Sequence, residues 1–274
     1  MLLAASLALA GEMAVTIDDL PWNAGVPAGV DKREATARIV AALVARGVPA
    51  VAFVNCDRVA NPGVLKPWMD AGFELGNHSA SHMDLSTRPL AAWTEDVRRC
   101  DARLREWQGT VRWFRFPYLH QGETAQKRDG AYAAITEMGE RVAQVSIDNH
   151  EWKLAADYGA TADPAKHAEI GARYVEHMAQ ASSHFAELAR AKTGHDVRHV
   201  LLLHANALAA DHLGAVLDRL AADGWRWVTL EAAMSDPVYA LPDTWASPNG
   251  PSWLHRIDPQ LPNELAWERG NAGW

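Results

Sequence analysis

Two histidines four residues apart, His78 and His82, are the residues whose type and spacing first indicate chemistry. They follow the short apolar run Gly72-Phe73-Glu74-Leu75, which is typical of a strand. Neutral imidazole is the commonest metal ligand in proteins, so two rings on a turn that leaves a strand can supply two of the three protein ligands of a catalytic zinc. The spacing alone is more typical of a surface turn, and the metal-site interpretation depends on the other polar residues of the chain.

The carboxylate that completes such a set is supplied by the adjacent pair Asp18 and Asp19, which follows the apolar run Met13-Ala14-Val15-Thr16-Ile17. One carboxylate can bind a metal while the other faces the water that the metal activates, because zinc lowers the pKa of its water to about 7 and polarises a carbonyl oxygen. An isolated pair of aspartates after a strand is otherwise typical of an Asx turn or a helix cap. Joined to the two histidines, the pair predicts three metal ligands, one open position and one general base.

Three further segments carry polar residues of the same kind. Arg115, in Arg115-Phe116-Pro117-Tyr118, could keep a neighbouring carboxylate ionised, and backbone N–H groups at such a turn can stabilise an oxyanion. Asp148-Asn149-His150-Glu151-Trp152 offers two carboxylates and an aromatic wall, although a polar loop with one packed tryptophan fits it as well. His204 ends the apolar run Leu201-Leu202-Leu203 and is either a core histidine or, with a carboxylate partner, a general acid.

Strands and helices are predicted to alternate about seven times, which is typical of a parallel α/β fold. The predicted strands are 13–17, 48–54, 72–75, 111–116, 142–147, 200–203 and 225–230. The predicted helices are 31–46, 64–69, 89–107, 125–138, 165–192 and 211–222. Each of the five polar segments lies at or just after the carboxyl end of a different predicted strand. In a parallel barrel those ends meet on one face, so the segments predict one shared site.

Composition and charge narrow the function classes. The chain has 274 residues and a net charge of −8 with no basic block, which argues against nucleic acid as a partner. No apolar run approaches the roughly 20 residues of a membrane-spanning helix. Cys56 and Cys100 are too few for a disulfide framework and lie in apolar periodic segments, so we expect buried free thiols.

The two ends of the chain differ from its middle. Residues 1–10 look like the end of an export signal with an Ala-x-Ala site, with a first strand or helix of the fold as the alternative. Export would place the protein in the periplasm or outside the cell, and a cytoplasmic location stays open. Residues 11–235 are expected to form one barrel, and residues 236–274, rich in Pro, Trp and Asn, an irregular tail packed on it.

The five segments, taken in order, resemble the motifs of the polysaccharide deacetylases, which contain the NodB-homology domain and form carbohydrate esterase family four. The resemblance rests on Thr16-Ile17-Asp18-Asp19, His78-Ser79-Ala80-Ser81-His82, Arg115-Phe116-Pro117-Tyr118, Asp148 to Trp152 and Leu202-Leu203-His204, and it spans roughly Met13 to Met234. It implies a distorted (β/α)7 barrel. It also implies a metal-dependent hydrolase that removes acetyl groups from N-acetylated carbohydrate in preference to O-acetylated carbohydrate.

The resemblance implies roles for the polar residues at the metal. Asp18 would be the catalytic base, and Arg115 would pair with it. Asp19, His78 and His82 would bind a divalent metal, with zinc preferred.

The remaining motifs are implied to handle the substrate. His204 would be the general acid, oriented by Asp148 or Glu151. The backbone at Tyr118 would contribute to an oxyanion hole. Leu202 would line the pocket for the acetyl methyl group, and Trp152 would form a wall of the substrate groove.

Departures from the family pattern keep alternatives open. Glu151 stands beside Trp152 where the family usually has Asp, so the sequence does not decide which carboxylate orients His204. The long segment 153–198 could cover the groove, which would favour a small non-sugar amide as substrate. Twelve tryptophans would also fit a non-catalytic carbohydrate-binding protein on the same scaffold.

Overall fold

A computed structural model describes residues 11–23 and 30–260. Within this part of the chain, seven parallel strands form one curled sheet. They are β1 (Gly11–Leu20), β2 (Ala50–Val54), β3 (Glu74–Asn77), β4 (Trp113–Phe114), β5 (Arg141–Val142), β6 (Arg198–His204) and β7 (Trp225–Trp227). The order is β5-β4-β3-β2-β1-β6, and β7 pairs with the first residues of β1. The predicted residues 1–10 of the export signal and 261–274 of the tail lie outside the described residues.

Helices surround the sheet. Those of the described chain are α1 (Lys32–Val44), α2 (Lys66–Asp70), α3 (Leu90–Gln108), α4 (Ala125–Glu137), α5 (Trp152–Gly159), α6 (Pro164–Thr193), α7 (Ala207–Ala222), α8 (Leu230–Met234) and α9 (Trp253–Ile257). Short 3-10 helices cover Cys56–Arg58, Pro62–Val64, Leu85–Thr87, Pro117–Leu119 and Pro237–Ala240. No helix among the described residues combines the length and the apolarity needed to cross a membrane.

The sheet curls far enough for its two ends to approach each other. After β5 the chain continues to Ile147, which forms a parallel bridge with Leu201 of β6. Helices lie outside the curled sheet, as a distorted (β/α) barrel requires, and the predicted fold class is confirmed.

Several predicted strand lengths are wrong: β1 is longer than predicted, whereas β4, β5 and β7 keep only two or three residues each. β1 extends to Leu20 instead of ending at Ile17, because β2 and β6 pair with it on opposite edges and continue its hydrogen bonds past Ile17. Asp18 and Asp19 therefore lie inside a strand that is buried from Met13 onward. Of the apolar run 142–147 only Val142 pairs with β4, because residues beyond Val142 cross towards β6.

The segment 153–198 forms an outer layer of the barrel. It folds into α5 and α6, which pack on α7, and α6 buries Tyr174, Met178 and Phe185 in the core. Most of this long segment, which the sequence suggested could cover the groove, forms the single 30-residue helix α6.

The two cysteines are buried as expected, but the expectation that they are free thiols is wrong. Cys56 and Cys100 form a disulfide across 44 residues of sequence, with Cα atoms 5.3 Å apart. It joins the loop after β2 to α3. Apolar periodicity predicts burial but not pairing, because a disulfide needs two Cα atoms at a specific separation that only the packing of α3 decides.

Candidate active site

The three predicted metal ligands come together. Nε2 of His82 lies 3.2 Å from Oδ1 of Asp19, and Nε2 of His78 lies 3.7 Å from the same oxygen. Potential ligand atoms of all three residues lie within 4.8 Å of one another. Asp19 and His82 have positive φ angles of 67° and 59°, a conformation that costs energy in a non-glycine residue and is found at functional sites.

Hydrogen bonding and burial prepare the two imidazoles as ligands. Nδ1 of His78 lies 2.8 Å from the carbonyl oxygen of Arg115, which can only accept, so the assigned tautomer leaves the Nε2 lone pair facing Asp19. Burial holds the pKa of His78 well below its usual range. Burial also lowers the pKa of His82 to about 4, against the opposing effect of Asp19. Two neutral imidazoles and one carboxylate are a donor set that suits a divalent ion such as zinc.

The turn that carries the histidines is held by the loop after β2. The side-chain amide of Asn55 donates to the carbonyl of His78 at 2.7 Å. The backbone N–H of Asp57 donates to the carbonyl of Ala80 at 2.8 Å. Since Cys56 lies between these two residues, the disulfide fastens the supporting loop to α3.

Two partners of Asp19 were missed by the sequence reasoning. The amide of Asn23 donates to Oδ2 of Asp19 at 2.5 Å, and Arg58 approaches Oδ1 at 3.3 Å. Burial alone would raise the pKa of Asp19, but His82, His78, His204 and Arg58 together lower it to about 2. Asn23, four residues after Asp19 at the end of a strand, carried a local signal. Arg58 carried none, because its approach depends on the loop after β2.

The predicted pair Asp18 and Arg115 is also present. Arg115 is fully buried; Nη1 lies 3.4 Å from Oδ2 of Asp18, Nη2 donates to Thr16 Oγ1 at 3.1 Å, and Nε donates to the Ala143 carbonyl at 2.8 Å. Burial raises the pKa of Asp18 to about 6, and Arg115 and His204 limit the rise. Oδ1 of Asp18 is buried and has no hydrogen-bond partner among the described residues. A carboxylate with one uncommitted oxygen and a pKa near neutrality is suited to accept a proton.

The carboxylate beside His204 is Glu151. Oε1 of Glu151 accepts from the backbone N–H of His204 at 2.8 Å and lies 2.9 Å from its Nδ1. Asp148 instead lies with Oδ2 3.4 Å from Nε2 of His150. Burial alone would lower the pKa of His204, but Glu151 raises it to about 9. His204 is therefore protonated at neutral pH, the state that a general acid requires.

Three predicted substrate-binding residues lie around this centre. The ring of Tyr118, 55% exposed, lies 4.4 Å from that of His82, and Tyr118 has a positive φ of 58°. Trp152, 45% exposed, begins α5 directly after Glu151. Leu202 packs with Leu119 and Val145 in a small apolar cluster. Their roles towards a substrate stay predictions.

Comparison with known proteins shows which family and which fold this chain resembles. Residues 9–134 match the family model described as polysaccharide deacetylase. A search of curated proteins finds no match.

Solved structures of similar fold include a chitin deacetylase from the fungal pathogen Colletotrichum lindemuthianum, with a TM-score of 0.60, 19% identity, and 87% of this chain and 92% of that chain covered. A family 4 carbohydrate esterase from Streptomyces lividans, in complex with acetate, has a TM-score of 0.55 and 20% identity over 82% of this chain and 97% of that one. A CE4 family pseudoenzyme from Bacillus anthracis has a TM-score of 0.58 and 16% identity over 82% of this chain and 66% of that one. At these identities the likeness concerns the fold.

Proposed function

We propose that this chain, which belongs to the polysaccharide deacetylase family by the match over residues 9–134, is a metal-dependent hydrolase that releases acetate from N-acetylated carbohydrate. One observation carries the proposal. An ionised carboxylate with two neutral imidazoles, a second carboxylate with an uncommitted oxygen, and a protonated imidazole all lie at the carboxyl ends of neighbouring strands. Metal-assisted amide hydrolysis uses these three kinds of group: a site for the metal ion, a base for the water and an acid for the leaving amine.

Asp19, His78 and His82 would hold the divalent ion, for which zinc is our proposed identity because the donors are two imidazole nitrogens and one carboxylate. When bound there, such an ion supplies Lewis acidity and lowers the pKa of water. The ionised Asp19 and the neutral histidines need no proton release before binding.

The chain's own residues would divide the proton transfers. Asp18 accepts a proton from the attacking water through Oδ1, while Arg115 holds its other oxygen. The water oxygen forms the new bond to the acetyl carbon. His204 gives its proton to the sugar nitrogen as the C–N bond breaks, so the products are acetate and the free amine. The backbone N–H at Tyr118 would donate to the carbonyl oxygen as negative charge develops there.

A sugar is favoured over a small amide by the surroundings of the site. The exposed rings of Tyr118 and Trp152 offer flat apolar surfaces of the kind that stack on sugar rings. A related fold is described as a chitin deacetylase, and α6 packs on α7 as part of the outer barrel. Asp148, paired with His150, would add negative charge beside the site without touching His204.

The test is acetate release from N-acetylated chitooligosaccharides by metal-loaded protein, compared with ammonia release from small amides. We expect Asp18→Asn to keep its metal content and to lose about 10²- to 10⁴-fold in rate, the usual contribution of general acid–base catalysis. Acetate release by that variant at the wild-type rate would remove Asp18 as the base. Sugar binding without acetate release, under every metal supplied, would assign the chain a non-catalytic binding role, as the related pseudoenzyme fold suggests.

We further propose that the protein works in the periplasm or outside the cell. The disulfide between Cys56 and Cys100 supports this, because such bonds persist in oxidising compartments. Cell fractionation with thiol labelling tests the proposal. Recovery in the cytoplasm with both thiols reduced would contradict it.

A further inference from the structure

We propose that helix α6 positions the general acid from outside the barrel, through His177 and Asn149. The inference rests on the function proposed above, because it concerns the pair formed by Glu151 and His204. It assigns His177 and Asn149 as positioning residues, which do not touch the substrate.

The first link runs from the helix to the turn that precedes α5. Nε2 of His177 lies 2.6 Å from the carbonyl oxygen of Asn149. A carbonyl oxygen can only accept, so Nε2 donates. His177 lies midway along α6 and is buried, as is Tyr174 one turn earlier. The bond is therefore shielded from water, which makes its loss costly.

The second link runs from Asn149 to the strand and to Glu151. The amide nitrogen of Asn149 donates to the carbonyl of Leu202 at 2.6 Å. The amide oxygen of Asn149 accepts from the backbone N–H of Glu151 at 3.0 Å. Asn149 is 1% exposed, and it joins α6, β6 and the Glu151 backbone in one network.

The third link is the contact between Glu151 and His204. Oε1 of Glu151 accepts from the backbone N–H of His204 and also contacts Nδ1 of its ring. Oε2 accepts from the side-chain amide of Asn206, just before α7, at 3.4 Å. Between Asn149 and Glu151 lies His150, whose φ is +54°. A turn with this unfavourable backbone angle depends on outside bonds to keep its shape. The bond from His177 is such a bond.

Tyr174 gives independent support for the closeness of α6 to Glu151. Burial raises the pKa of Tyr174 well above its usual range, and the negative charge of Glu151 adds to the rise. The phenol oxygen has no hydrogen-bond partner among the described residues. The helix therefore lies close enough behind the glutamate for its charge to act on this phenol.

The decisive readout is the titration of His204, because a merely structural role for His177 would leave it unchanged. The charged or titratable groups that act on His204 are Glu151 from the turn, Asp18 and Asp19 from β1, His82 from the turn after β3 and Asp148. Of these, only Glu151 and Asp148 lie on the turn that His177 holds. Displacement of that turn should weaken the partnership with Glu151 and leave the metal ligands in place.

The experiment uses the full chain with His177→Leu, which keeps a side chain of similar size but removes the hydrogen-bond donor. His177→Gln, which retains a donor, is the rescue variant, and Gln180→Ala on the exposed side of α6 is the control. In His177→Leu we expect kcat to fall about tenfold with KM unchanged, the pKa of His204 by NMR to fall by about one unit, and metal affinity to stay within twofold. His177→Gln should recover most of the loss.

An unchanged pKa of His204 in folded His177→Leu would overturn the inference, whatever happens to kcat. Should His177→Leu fail to fold, Asn149→Ala, which removes the donor to Leu202 without adding a charge to the turn, is measured instead with the same criterion. The NMR titration needs no turnover. The wild-type protein could release no acetate while the pKa of His204 is still lower in His177→Leu than in wild type. That result would overturn the proposed function and keep the positioning role.

Discussion

Among the described residues, the carboxylate–imidazole partnerships at Asp19 and at Glu151 hold their protons in opposite ways. The metal corner, defined as Asp19, His78 and His82, keeps both imidazoles neutral. The acid corner, defined as Glu151 and His204, keeps its imidazole protonated, with a pKa of about 9. Both corners are formed by the same residue types at the ends of strands of one sheet.

The difference comes from how each carboxylate is shared. In the metal corner, Asp19 faces two imidazoles and is also contacted by Asn23 and Arg58. Its charge is therefore shared among several partners, and burial dominates the pKa of the two histidines. In the acid corner one oxygen of Glu151 receives both the backbone N–H and the ring of a single histidine. Burial favours neutral imidazole in each case, and at His204 the undivided carboxylate of Glu151, aided by Asp19 and Asp18, outweighs it.

Removing the shared carboxylate should have the largest effect. We expect Asp19→Ala to lose its metal and at least about 10³-fold in activity, since the Lewis acid and the polarised water go together. Metal content after dialysis and acetate release measure this. Full metal retention in a folded Asp19→Ala would show that the trio is not the metal site.

Neutralising the undivided carboxylate should come next. In Glu151→Gln the pKa of His204 should fall from about 9 towards its ordinary value of 6.5, because the largest contribution that opposes burial is lost and only Asp19 and Asp18 still oppose it. The proton donor is lost above that pKa, so the basic limb of the pH profile of kcat moves to lower pH and the rate at pH 8 falls about 10²-fold.

The same change carries a stability signature. In the wild type the raised pKa of His204 stabilises the fold fully below pH 6.5, and this contribution is lost as the pH rises through about 9. Urea unfolding between pH 6 and 10 should show this decline in wild type and not in Glu151→Gln. An equal decline in both would assign it to another group.

Removal of the disulfide should weaken metal retention at the metal corner and leave the acid corner unchanged. For a loop of 44 residues, chain entropy predicts a loss of about 4 kcal/mol in the free energy of unfolding in the variant Cys56→Ala with Cys100→Ala. Near its lower melting temperature the variant should release metal, because the loop of Asn55 and Asp57 supports the histidine turn. Metal release in parallel with wild type, at an unchanged melting temperature, would contradict this.

The smallest effect is expected from Asn23→Ala, which removes the bond that orients Asp19. Loss of such a partner typically weakens metal affinity about 10- to 100-fold. Competition with a fluorescent chelator measures the affinity, and the pKa of His204 serves as the internal control. A changed pKa of His204 with an unchanged metal affinity would show that Asn23 does not support the metal corner.

Much of the site could be predicted from single segments. The alternation of apolar runs with helical stripes indicated a parallel barrel, and polar residues at the strand ends indicated where Asp18, Arg115 and His204 would meet. What single segments could not show is a partner that arrives from another element. Arg58 and His177 each act through a tertiary contact and had no spacing that pointed to it, whereas Asn23 lies only four residues after Asp19 and carried a local signal. The choice between Asp148 and Glu151 likewise depended on the direction in which the turn at His150 faces.

By itself the amino-acid sequence determined which residue types stand at the ends of the strands, because the order of strands and helices follows from local apolar periodicity. Only the tertiary structure decided which atoms meet, and therefore which imidazole is neutral and which is charged. The physical reason is that burial and the sharing of a carboxylate act over a few ångströms in space, between residues as far apart in sequence as Asp19 and His82 or Glu151 and His204.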